Sequence, residues 1–505
     1  MSMHEDYNMG HLVEAAVAYY DATGKRKLLD VAIKNVDHFA SLFGPGKSHW
    51  VTGHQELELA LVKLYHTTKE RKYLDLAQWL LEERGHGHAH GYTWDDWKDT
   101  AYAQDDVPLR RVSEIKGHAV RAMYYYTGAA DVAAITGDAD YLQAMKRVWE
   151  DVVHRNMYIT GGIGASGNNE GFAIDYDLPN DRAYCETCAS VGMVLWNQRM
   201  NTLTGDAMYA DVLERSLFNG ALDGISYEGN QFFYSNVLAS DGQHKRRDWF
   251  GTACCPSNIA RLMASLGNYI YASSDQGIWI QQYISSNTLL TVKDQIIPVQ
   301  IDTKYPFEGK INILLNNESP IATSIYLRIP GWARGEAVPG KLYRFQKTTY
   351  DLPTILINGK KTTYQLDHGY AKITANWRGG DLITLDLPMP VQRILSDSIK
   401  YNLHKVAIQR GPLVYCIEGA DQKGNVFNGI LPDHTVFKPI YNAAILGGLT
   451  TLQAMVPMLV TNPEKSKVTQ TKTKITAIPY FAWANRGPNE MRVWIPTRFE
   501  QLRVN

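Results

Sequence analysis

Four of the chain's five cysteines lie between residues 170 and 255, in a stretch that also carries two carboxylates able to do acid–base chemistry, Glu170 and Glu186. The cysteines are Cys185, Cys188, Cys254 and Cys255. Thiolates are soft ligands for Zn²⁺, and an ionised thiol is also a nucleophile. Scattered structural cysteines are not expected to group in this way, so the stretch from 170 to 255 predicts a metal–thiolate site with a catalytic acid beside it.

The adjacent pair Cys254-Cys255 is followed by Pro256 and then by apolar residues at helical spacing, namely Ile259, Leu262, Met263, Leu266 and Ile270. Proline suits the first position of a helix, which places both cysteines at the helix N-terminus. The helix dipole there favours the thiolate over the thiol. The pattern predicts metal binding or nucleophilic attack, and the alternative is a pair of buried small side chains.

Glu186 and Cys188 stand two positions apart, where a helix is expected to begin at Thr187. In an extended segment, residues i and i+2 point the same way, so both side chains could reach one ion. With Cys254 and Cys255 they make a set suited to Zn²⁺. Two alternatives stay open: Cys185 could replace the glutamate in a structural Cys₄ site, or Glu186 could be a charge that the helix dipole favours.

A glycine-rich loop over residues 161–171 carries Glu170. Its Gly162-x-Gly164-x-x-Gly167 spacing matches the dinucleotide fingerprint, but the sequence continues as a loop and predicts no helix there. We therefore exclude NAD or FAD binding. The loop is predicted to carry Glu170 into a cleft, and the alternative is a solvated surface glutamate.

Three histidines, His11, His54 and His118, each follow a glycine, and each is expected to open a helix. Equivalent positions in successive helical hairpins gather at one end of a toroid. The three imidazoles are therefore predicted to line its mouth and to hydrogen-bond sugar hydroxyls, with ordinary structural histidines as the alternative. The alternating residues 86, 88 and 90 are also histidines, and they predict a solvated loop rather than a metal site.

A repeated turn organises the first half of the chain. Thr-Gly stands at 23–24, 136–137 and 204–205, and Thr-Lys stands at 68–69, each between two stretches of helical periodicity. The pattern predicts nine helices before about residue 273, at 10–22, 25–42, 53–67, 70–84, 114–135, 138–156, 186–203, 206–222 and 256–272. Hairpins of this kind must stack as an open solenoid or a closed toroid.

After about residue 276 the apolar period becomes two, which predicts strands. Residues 373–377 and 383–387 flank Gly379-Gly380 and predict a hairpin. Further strands are expected near 325–329, 406–408, 413–417 and 491–495, whereas 420–475 is rich in turn residues and gives no assignment. We expect a helical catalytic domain over 1–275, a β-sandwich over 276–400 and a second β-rich domain over 401–505.

Composition narrows the class of partner. The chain has 505 residues, 45% of them hydrophobic, and a formal net charge of −1, which argues against nucleic acid or an anionic membrane as the main partner. Many aromatic residues fit sugar binding. The first residues lack the regions of a signal peptide, and five cysteines make a poor disulfide framework, so we expect reduced thiols and a cytoplasmic location.

These motifs together resemble the β-L-arabinofuranosidases of glycoside hydrolase family 127, over essentially the whole chain. The resemblance is carried by the glycine–histidine pairs at 10–11, 53–54 and 117–118, and by the segments 158–162, 175–180, 186–190, 232–234 and 249–256. As a set, these motifs are very specific.

The resemblance implies an (α/α)₆ barrel followed by β-sandwich domains. It implies a Zn²⁺ ion held by Glu186, Cys188, Cys254 and Cys255. It further implies that Cys254 is the nucleophile and that Glu170 is the general acid/base. The positions that match sugar contacts are His11, His54, His118 and Tyr234.

The sequence departs from the family pattern in two places. Family members carry further helices upstream of the position of His11, so nine helices here predict an incomplete barrel whose gap is open or filled by another chain. Asp106 stands where most relatives are expected to have histidine, which leaves the exact sugar open. The family's range includes arabinofuranose and a carboxylated branched sugar.

The leading expectation is a zinc-dependent retaining glycosidase that releases a terminal L-arabinofuranose or a related sugar from an oligosaccharide or glycoside. One alternative is a polysaccharide lyase on the same toroid, which would use His/Tyr proton abstraction around a structural zinc ion. Another is a non-catalytic sugar-binding protein. The oligomeric state stays open, with a homodimer as one option.

Overall fold

The computed structural model describes residues 4–88, 99–347, 351–422, 425–462 and 467–502. The chain forms two compact units: the first comprises residues 1–156 and 163–175, and the second comprises 157–162 and 176–505. The predicted helical domain over 1–275 contributes to both. Within the described ranges, each helix is too short or too polar to cross a bilayer. His90 of the predicted histidine loop lies outside these ranges.

The described residues form nine α-helices, and each corresponds to one that periodicity predicts. They are α1 (Glu5–Thr23), α2 (Lys27–Leu42), α3 (Leu57–Thr68), α4 (Arg71–Glu82), α5 (Ala119–Thr136), α6 (Ala139–Asp151), α7 (Thr187–Thr204), α8 (Ala207–Arg215) and α9 (Cys254–Ser265). Helices α6 and α8 continue as π-helical turns over 152–156 and 216–221. The existence of the nine helices is confirmed, although they begin and end at residues that differ from the predicted ones.

The repeated turn has one structure in all four hairpins. The residue after the threonine adopts the left-handed conformation, with φ near 70° at Gly24, Gly137 and Gly205 and 61° at Lys69. The threonine hydroxyl donates to the carbonyl four residues earlier. Together these bonds end the first helix and satisfy its last carbonyls, which explains why Thr-Gly recurs.

In the first unit, alternate helices form an inner and an outer layer. Helix α3 packs on both α1 and α5, and most residues of α3 and α5 are buried. The outer helices α2, α4 and α6 bury only one stripe each. Because the hairpins are antiparallel, the three inner helices run in the same direction and their N-termini meet at one end of the unit.

The second unit contains α7, α8, α9 and all the strands of the described residues. The strands are β1 (Ala239–Asp241), β2 (Tyr271–Ser274), β3 (Gly277–Ile280), β4 (Ser286–Val292), β5 (Gln295–Thr303), β6 (Lys310–Leu315), β7 (Ile321–Arg328), β8 (Arg344–Phe345), β9 (Thr354–Ile357), β10 (Lys360–Thr362), β11 (Gln365–Asp367), β12 (Tyr370–Trp377), β13 (Leu382–Asp386), β14 (Val391–Leu395), β15 (Lys405–Arg410), β16 (Leu413–Glu418), β17 (Lys438–Asn442), β18 (Leu449–Asn462), β19 (Lys467–Pro479), β20 (Glu490–Arg492) and β21 (Ile495–Pro496).

These strands form three sheets. A ten-stranded sheet follows the order β17-β18-β19-β16-β15-β14-β8, with β1, β20 and β21 attached to it. A six-stranded sheet has the order β10-β9-β13-β6-β5-β4, and a five-stranded sheet has the order β11-β12-β7-β3-β2. Residues alternate between buried and less buried along β6, β12 and β13, so each of the two smaller sheets has one covered face.

Two predictions about this part of the chain are wrong. The strands around Gly379-Gly380 do not form a hairpin, because β12 pairs with β7 and β11 whereas β13 pairs with β6 and β9 of another sheet. An alternating pattern identifies a strand but not the sheet that it joins. The last predicted helix also ends early: α9 stops at Ser265, and β2 begins at Tyr271.

The stretch from 420 to 475, which gave no assignment, contains the two longest strands. Strands β18 and β19 have 14 and 13 residues, and residues 452–462 of the first pair with residues 467–477 of the second. Met455 and Val468 on these strands are about half exposed, and threonine and lysine fill much of β19. Strand β18 buries Leu452, Ala454, Val456 and Met458 on one face, whereas residues 468–472 of β19 are exposed and carry no apolar period.

Buried ion pairs fix α8 on the five-stranded sheet within the second unit. The guanidinium of Arg328, at the end of β7, lies 2.7 Å from Asp211 Oδ1 and also binds Glu214. Both acids are on α8, and Arg328 is fully buried. Helix α8 pairs with α7 in a hairpin, so these contacts also hold the helix whose start carries Glu186 and Cys188.

Candidate functional site

Glu186 is the residue before helix α7, and its carboxylate points at the cysteines rather than capping the helix. It makes no side-chain capping bond. Its Oε1 lies 3.3 Å from Cys254 Sγ and 3.7 Å from Cys255 Sγ. The contacts favour a ligand role over a simple charge at a helix N-terminus.

The cysteine pair lies at the start of α9, which begins at Cys254 rather than at the predicted Pro256. Cys188 Sγ is 3.5 Å from Cys255 Sγ, and the two adjacent sulfurs are 3.8 Å apart. Cys188 and Cys255 are buried, and Cys254 is partly exposed. The sulfur that a solute could reach is therefore that of Cys254.

The four side chains have the spacing of a tetrahedral metal site. A tetrahedral ion with metal–sulfur bonds of about 2.3 Å holds its sulfur ligands about 3.8 Å apart and a carboxylate oxygen about 3.5 Å from them. The observed separations of 3.5, 3.8, 3.3 and 3.7 Å follow these edges. All four ligand atoms lie within 4.8 Å of one another. The donor set fits a divalent metal ion.

The structure keeps Cys185 apart from this group, since the fourth ligand beside the three cysteines is Glu186. Cys185 is buried in a left-handed conformation with φ of 39°, and its carbonyl accepts a 2.7 Å hydrogen bond from Asn236 Nδ2. Its sulfur faces Gly162, where an added Cβ would come within 3.1 Å. This packing favours the Glu-Cys₃ set over the Cys₄ alternative.

The three thiols of the group differ in acidity. Contacts with Cys188 and Cys255 hold the pKa of Cys254 well below its usual value, whereas burial raises the pKa of Cys188 and of Cys255. The local structure thus favours a single negative charge on the sulfur of the partly exposed Cys254. A bound cation would offset the charges of the other two thiolates.

Tyr234 lies against the same sulfur, with its hydroxyl 3.3 Å from Cys254 Sγ. Burial raises the pKa of Tyr234 well above its usual value, so the phenol stays protonated and donates to an ionised sulfur. Its backbone carbonyl accepts a 2.9 Å bond from Thr187 N–H, and its ring packs edge-on against Phe250 at 5.4 Å. These contacts fix the position of the hydroxyl.

In the first unit, Glu170 is fastened to the N-terminus of α5. Its carbonyl accepts the Ala119 N–H at 3.1 Å, and its Oε2 lies 3.0 Å from His118 Nε2. Glu170 has φ of 49°, a conformation that costs a non-glycine residue free energy. The adjacent Gly171 is needed, because an added Cβ would meet the Gly117 carbonyl oxygen at 1.8 Å. The glutamate is held, and it is not a freely solvated side chain.

His118 is the N-cap residue of α5, and each of its two ring nitrogens makes a different contact. Nδ1 accepts the N–H groups of Val120 at 3.1 Å and Arg121 at 3.5 Å. A nitrogen that accepts cannot carry the proton, so the proton lies on Nε2 and points at Glu170. The helix start therefore fixes the tautomer of the ring.

His54 and His11 lie at the same end of the first unit. The rings of His54 and His118 are 5.5 Å apart, and Tyr7 contacts both His11 and His54 at 4.3 and 4.5 Å. The three histidines are thus brought together. The expectation that each opens a helix holds for His118, the N-cap residue of α5. It is wrong for His11, which lies inside α1 because that helix begins at Glu5, and for His54, because α3 begins only at Leu57.

Burial lowers the pKa of His54 well below its usual value, so the ring is neutral. Its Nδ1 lies 2.9 Å from the Gln55 carbonyl and must donate to it, which leaves Nε2 as an acceptor. His11 Nδ1 lies 3.1 Å from the buried Glu56 Oε1. The cluster therefore offers the acceptor nitrogen of His54 to a hydroxyl group.

Sequence reasoning missed the residues that hold these histidines. Asp6 Oδ2 accepts bonds from Trp50 Nε1 at 3.0 Å and from the Gly53 N–H at 3.4 Å, beside His54. Gln104 Nε2 donates to the His118 carbonyl at 3.3 Å. Nothing in the local sequence marks these side chains as buried. Arg121 also binds the Gly53 carbonyl, and a charged residue in the apolar first turns of α5 was a usable signal.

Two other predicted features lie elsewhere in the first unit. Asp106, which departs from the family pattern, is exposed and lies 3.9 Å from Lys116 Nζ. In the histidine loop, His86 is exposed, while His88 shares the carboxylate of Glu83 with His49, whose Nδ1 is 2.8 Å from Oε2.

Comparison with known families gives three matches that together cover most of the chain. The model of the β-L-arabinofuranosidase GH127 catalytic domain matches residues 1–268. The GH127 middle domain matches 277–389, and the glycoside hydrolase family 127 C-terminal domain matches 391–496.

Individual relatives agree with these matches. The chain is 36% identical to a non-reducing end β-L-arabinofuranosidase of Bifidobacterium longum, over 97% of this chain and 78% of that protein. A solved GH127 β-arabinofuranosidase shares 40% identity with a TM-score of 0.94, covering 99% of this chain and 78% of the other. A GH127 β-L-arabinofuranosidase from Geobacillus stearothermophilus T6 shares 38% identity with a TM-score of 0.89, covering 98% and 80%.

Proposed function

The chain belongs to glycoside hydrolase family 127, and on that premise we propose that this glycosidase releases a terminal L-arabinofuranose, or a closely related sugar, with retention of configuration. One observation carries the proposal. The partly exposed Cys254 sulfur lies at a helix N-terminus, within a metal-binding group and next to the Tyr234 hydroxyl. The identity of the proposed sugar comes from relatives that are named for this activity.

We assign Zn²⁺ to Glu186, Cys188, Cys254 and Cys255. Three thiolates and one carboxylate are the ligands that Zn²⁺ prefers over harder ions, and the spacing of the four atoms supports tetrahedral binding. When bound, the ion supplies positive charge that keeps the thiols ionised near neutral pH. The chain's own residues then orient the reacting sulfur.

Cys254 is the proposed nucleophile. The N-terminus of α9 favours its negative charge, and the Tyr234 hydroxyl donates to the sulfur from a fixed position. Cys188 and Cys255 are too buried for a sugar to reach. Among the three cysteines of the group, Cys254 is the one that is partly exposed, and it is also the one whose pKa is lowered.

Glu170 is the proposed general acid/base. In the first step, the Cys254 sulfur bonds to the anomeric carbon while the bond to the leaving oxygen breaks, and Glu170 gives its proton to that oxygen. In the second step, a water oxygen attacks the same carbon, its proton passes to Glu170, and the carbon–sulfur bond breaks. Two displacements restore the starting configuration.

The histidine cluster and Tyr234 are proposed to bind the terminal sugar. His54 presents an acceptor nitrogen from a buried neutral ring, which suits a sugar hydroxyl. His11 and His118 lie at the same end of the unit and are included in the proposed sugar site.

We further propose an (α/α)₆-type helical barrel followed by β-sandwich domains, with divisions at 1–275, 276–400 and 401–505. The inner and outer helical layers of the first unit support the barrel. The residue ranges that the three family models match support the divisions.

A panel of nitrophenyl pentosides tests the proposed function. The purified protein should release nitrophenol fastest from the β-L-arabinofuranoside, and metal analysis should find about one zinc per chain. Turnover of other pentosides with no action on this one would contradict the proposal. An unsaturated product that absorbs ultraviolet light would instead indicate a lyase.

A further inference from the structure

Trp249 is an exposed aromatic residue that the proposed mechanism does not use. Its side chain is 62% exposed, and it is the only tryptophan of the described residues in the exposed class. A single exposed apolar residue is ordinary in itself. Trp249 differs from such residues in the contacts that hold it and in its position in the chain.

The segment that carries Trp249 is held in place within the second unit. Phe232 and Arg247 exchange two backbone hydrogen bonds of 2.8 and 2.9 Å, and Gln231 Nε2 donates to Asp248 Oδ1 at 2.9 Å. The Phe232 ring meets the Trp249 ring edge-on, with centroids 6.3 Å apart. The indole is therefore fixed along one side while most of its surface faces solvent.

The same segment leads directly to the reacting sulfur. The next residue, Phe250, packs its ring against Tyr234, whose hydroxyl lies 3.3 Å from Cys254 Sγ. Trp249 is thus one residue from a side chain that supports the site and five residues from the proposed nucleophile. An indole held here can contact a substrate that extends out of the site.

We propose that Trp249 is a stacking platform for the sugar on the leaving-group side of the scissile bond. This inference rests on the proposed function. An enzyme that removes a terminal sugar encloses that sugar among buried groups, and the remainder of the substrate extends into solvent. The apolar face of a sugar ring carries polarised C–H bonds that pack well on the electron-rich face of an indole. Trp249 is therefore a specificity-determining residue for the leaving group and not a catalytic one.

Two substrates separate this role from the chemistry. Methyl β-L-arabinofuranoside has no sugar on the leaving-group side, whereas a β-linked disaccharide of two L-arabinofuranose units has one. We expect Trp249→Ala to lower kcat/KM for the disaccharide about 10-fold, mainly through KM, and to leave the methyl glycoside within about 2-fold of the wild type. Trp249→Phe should lose less, because a smaller aromatic face remains.

A matched control is Tyr441→Ala, which removes an aromatic side chain that is 68% exposed on β17 of the same unit. It should leave both substrates unaffected. Equal losses of Trp249→Ala on both substrates, or no loss on either, would overturn the platform. If the wild-type protein hydrolyses neither substrate, the proposed function itself fails, and the platform fails with it.

Discussion

The Oε2 atom of Glu170 lies 3.0 Å from His118 Nε2, and the other nitrogen of that ring caps helix α5. The cap places the single proton of the neutral ring on Nε2. A buried helix start thereby decides that His118 donates to Glu170 and does not compete with it for a proton. The geometry makes His118 a positioning residue for the proposed acid/base.

Replacement of His118 by asparagine should separate its two roles. Asparagine is a good N-cap residue, so the stability of the protein should change little. It cannot reproduce the bond to Glu170, and hydrogen bonds to charged groups contribute about 1.5–3 kcal/mol, so kcat/KM should fall about 10- to 100-fold. His118→Ala should lose the same activity and, in addition, about 1 kcal/mol of stability. Equal thermal destabilisation of both variants would contradict this division of roles.

Glu170→Gln should slow hydrolysis by about 10²–10⁴-fold for substrates with poor leaving groups, as expected when a general acid is removed. The loss should shrink as the pKa of the leaving group falls, because a good leaving group needs little protonation. The measurement is kcat/KM over a series of aryl glycosides. Asn168→Ala, in the exposed part of the same loop, is the control and should stay near the wild type. A loss that is uniform over the series would remove Glu170 from the acid role.

The metal content of two variants should show which of two buried cysteines, Cys188 or Cys185, is a metal ligand. Cys188→Ser removes one of the four clustered ligands and should lose most of the bound metal. Cys185→Ser alters a thiol of similar burial outside the cluster and should keep about one equivalent. The readout is elemental analysis of protein never exposed to chelator. Loss of metal in Cys185→Ser but not in Glu186→Gln would instead favour the Cys₄ site.

Asp6 should make the protein less stable as the pH rises from about 4 to 6. Burial raises its pKa from 3.8 to about 6, so the folded state holds a proton that the unfolded state releases over this window. Because the pKa of Asp6 is higher in the folded state than in the unfolded state, ionised Asp6 lowers the stability of the protein above the folded-state pKa. For a shift of this size the loss is about 3 kcal/mol at most. Asp6→Asn keeps an acceptor for Trp50 and removes this cost.

The melting temperature of Asp6→Asn should accordingly rise relative to the wild type between pH 4 and pH 7. Asp30→Asn, at a half-exposed aspartate on α2, controls for the removal of one negative charge. A difference between Asp6→Asn and the wild type that does not vary with pH would show that Asp6 titrates normally.

The sequence predicted what local patterns determine. Helical periodicity and the Thr-Gly turns located the nine helices, because side-chain burial on a helix repeats with its own period. Residue chemistry likewise singled out Glu186 and the three clustered cysteines, since few other functions require thiols beside a carboxylate.

The remaining features depend on contacts between distant parts of the chain. The pairing of β12 with β7, and of β13 with β6, is decided by which sheet each strand joins. The burial of Asp6 depends on Trp50, 44 residues away, and that of Gln104 on contacts such as the one with His118, 14 residues away. The residues between these partners show no periodic pattern that would mark the contacts, so they had no local signal.

Identification of the residue that becomes glycosylated tests the central claim most directly. Glu170→Gln, mixed with an activated aryl β-L-arabinofuranoside and quenched rapidly, should accumulate the covalent intermediate, because the good leaving group departs without an acid while the missing base slows attack by water. Mass spectrometry of the digested protein should find one pentosyl group on Cys254. A pentosyl group on another residue, or turnover with inverted configuration and no adduct, would contradict the account.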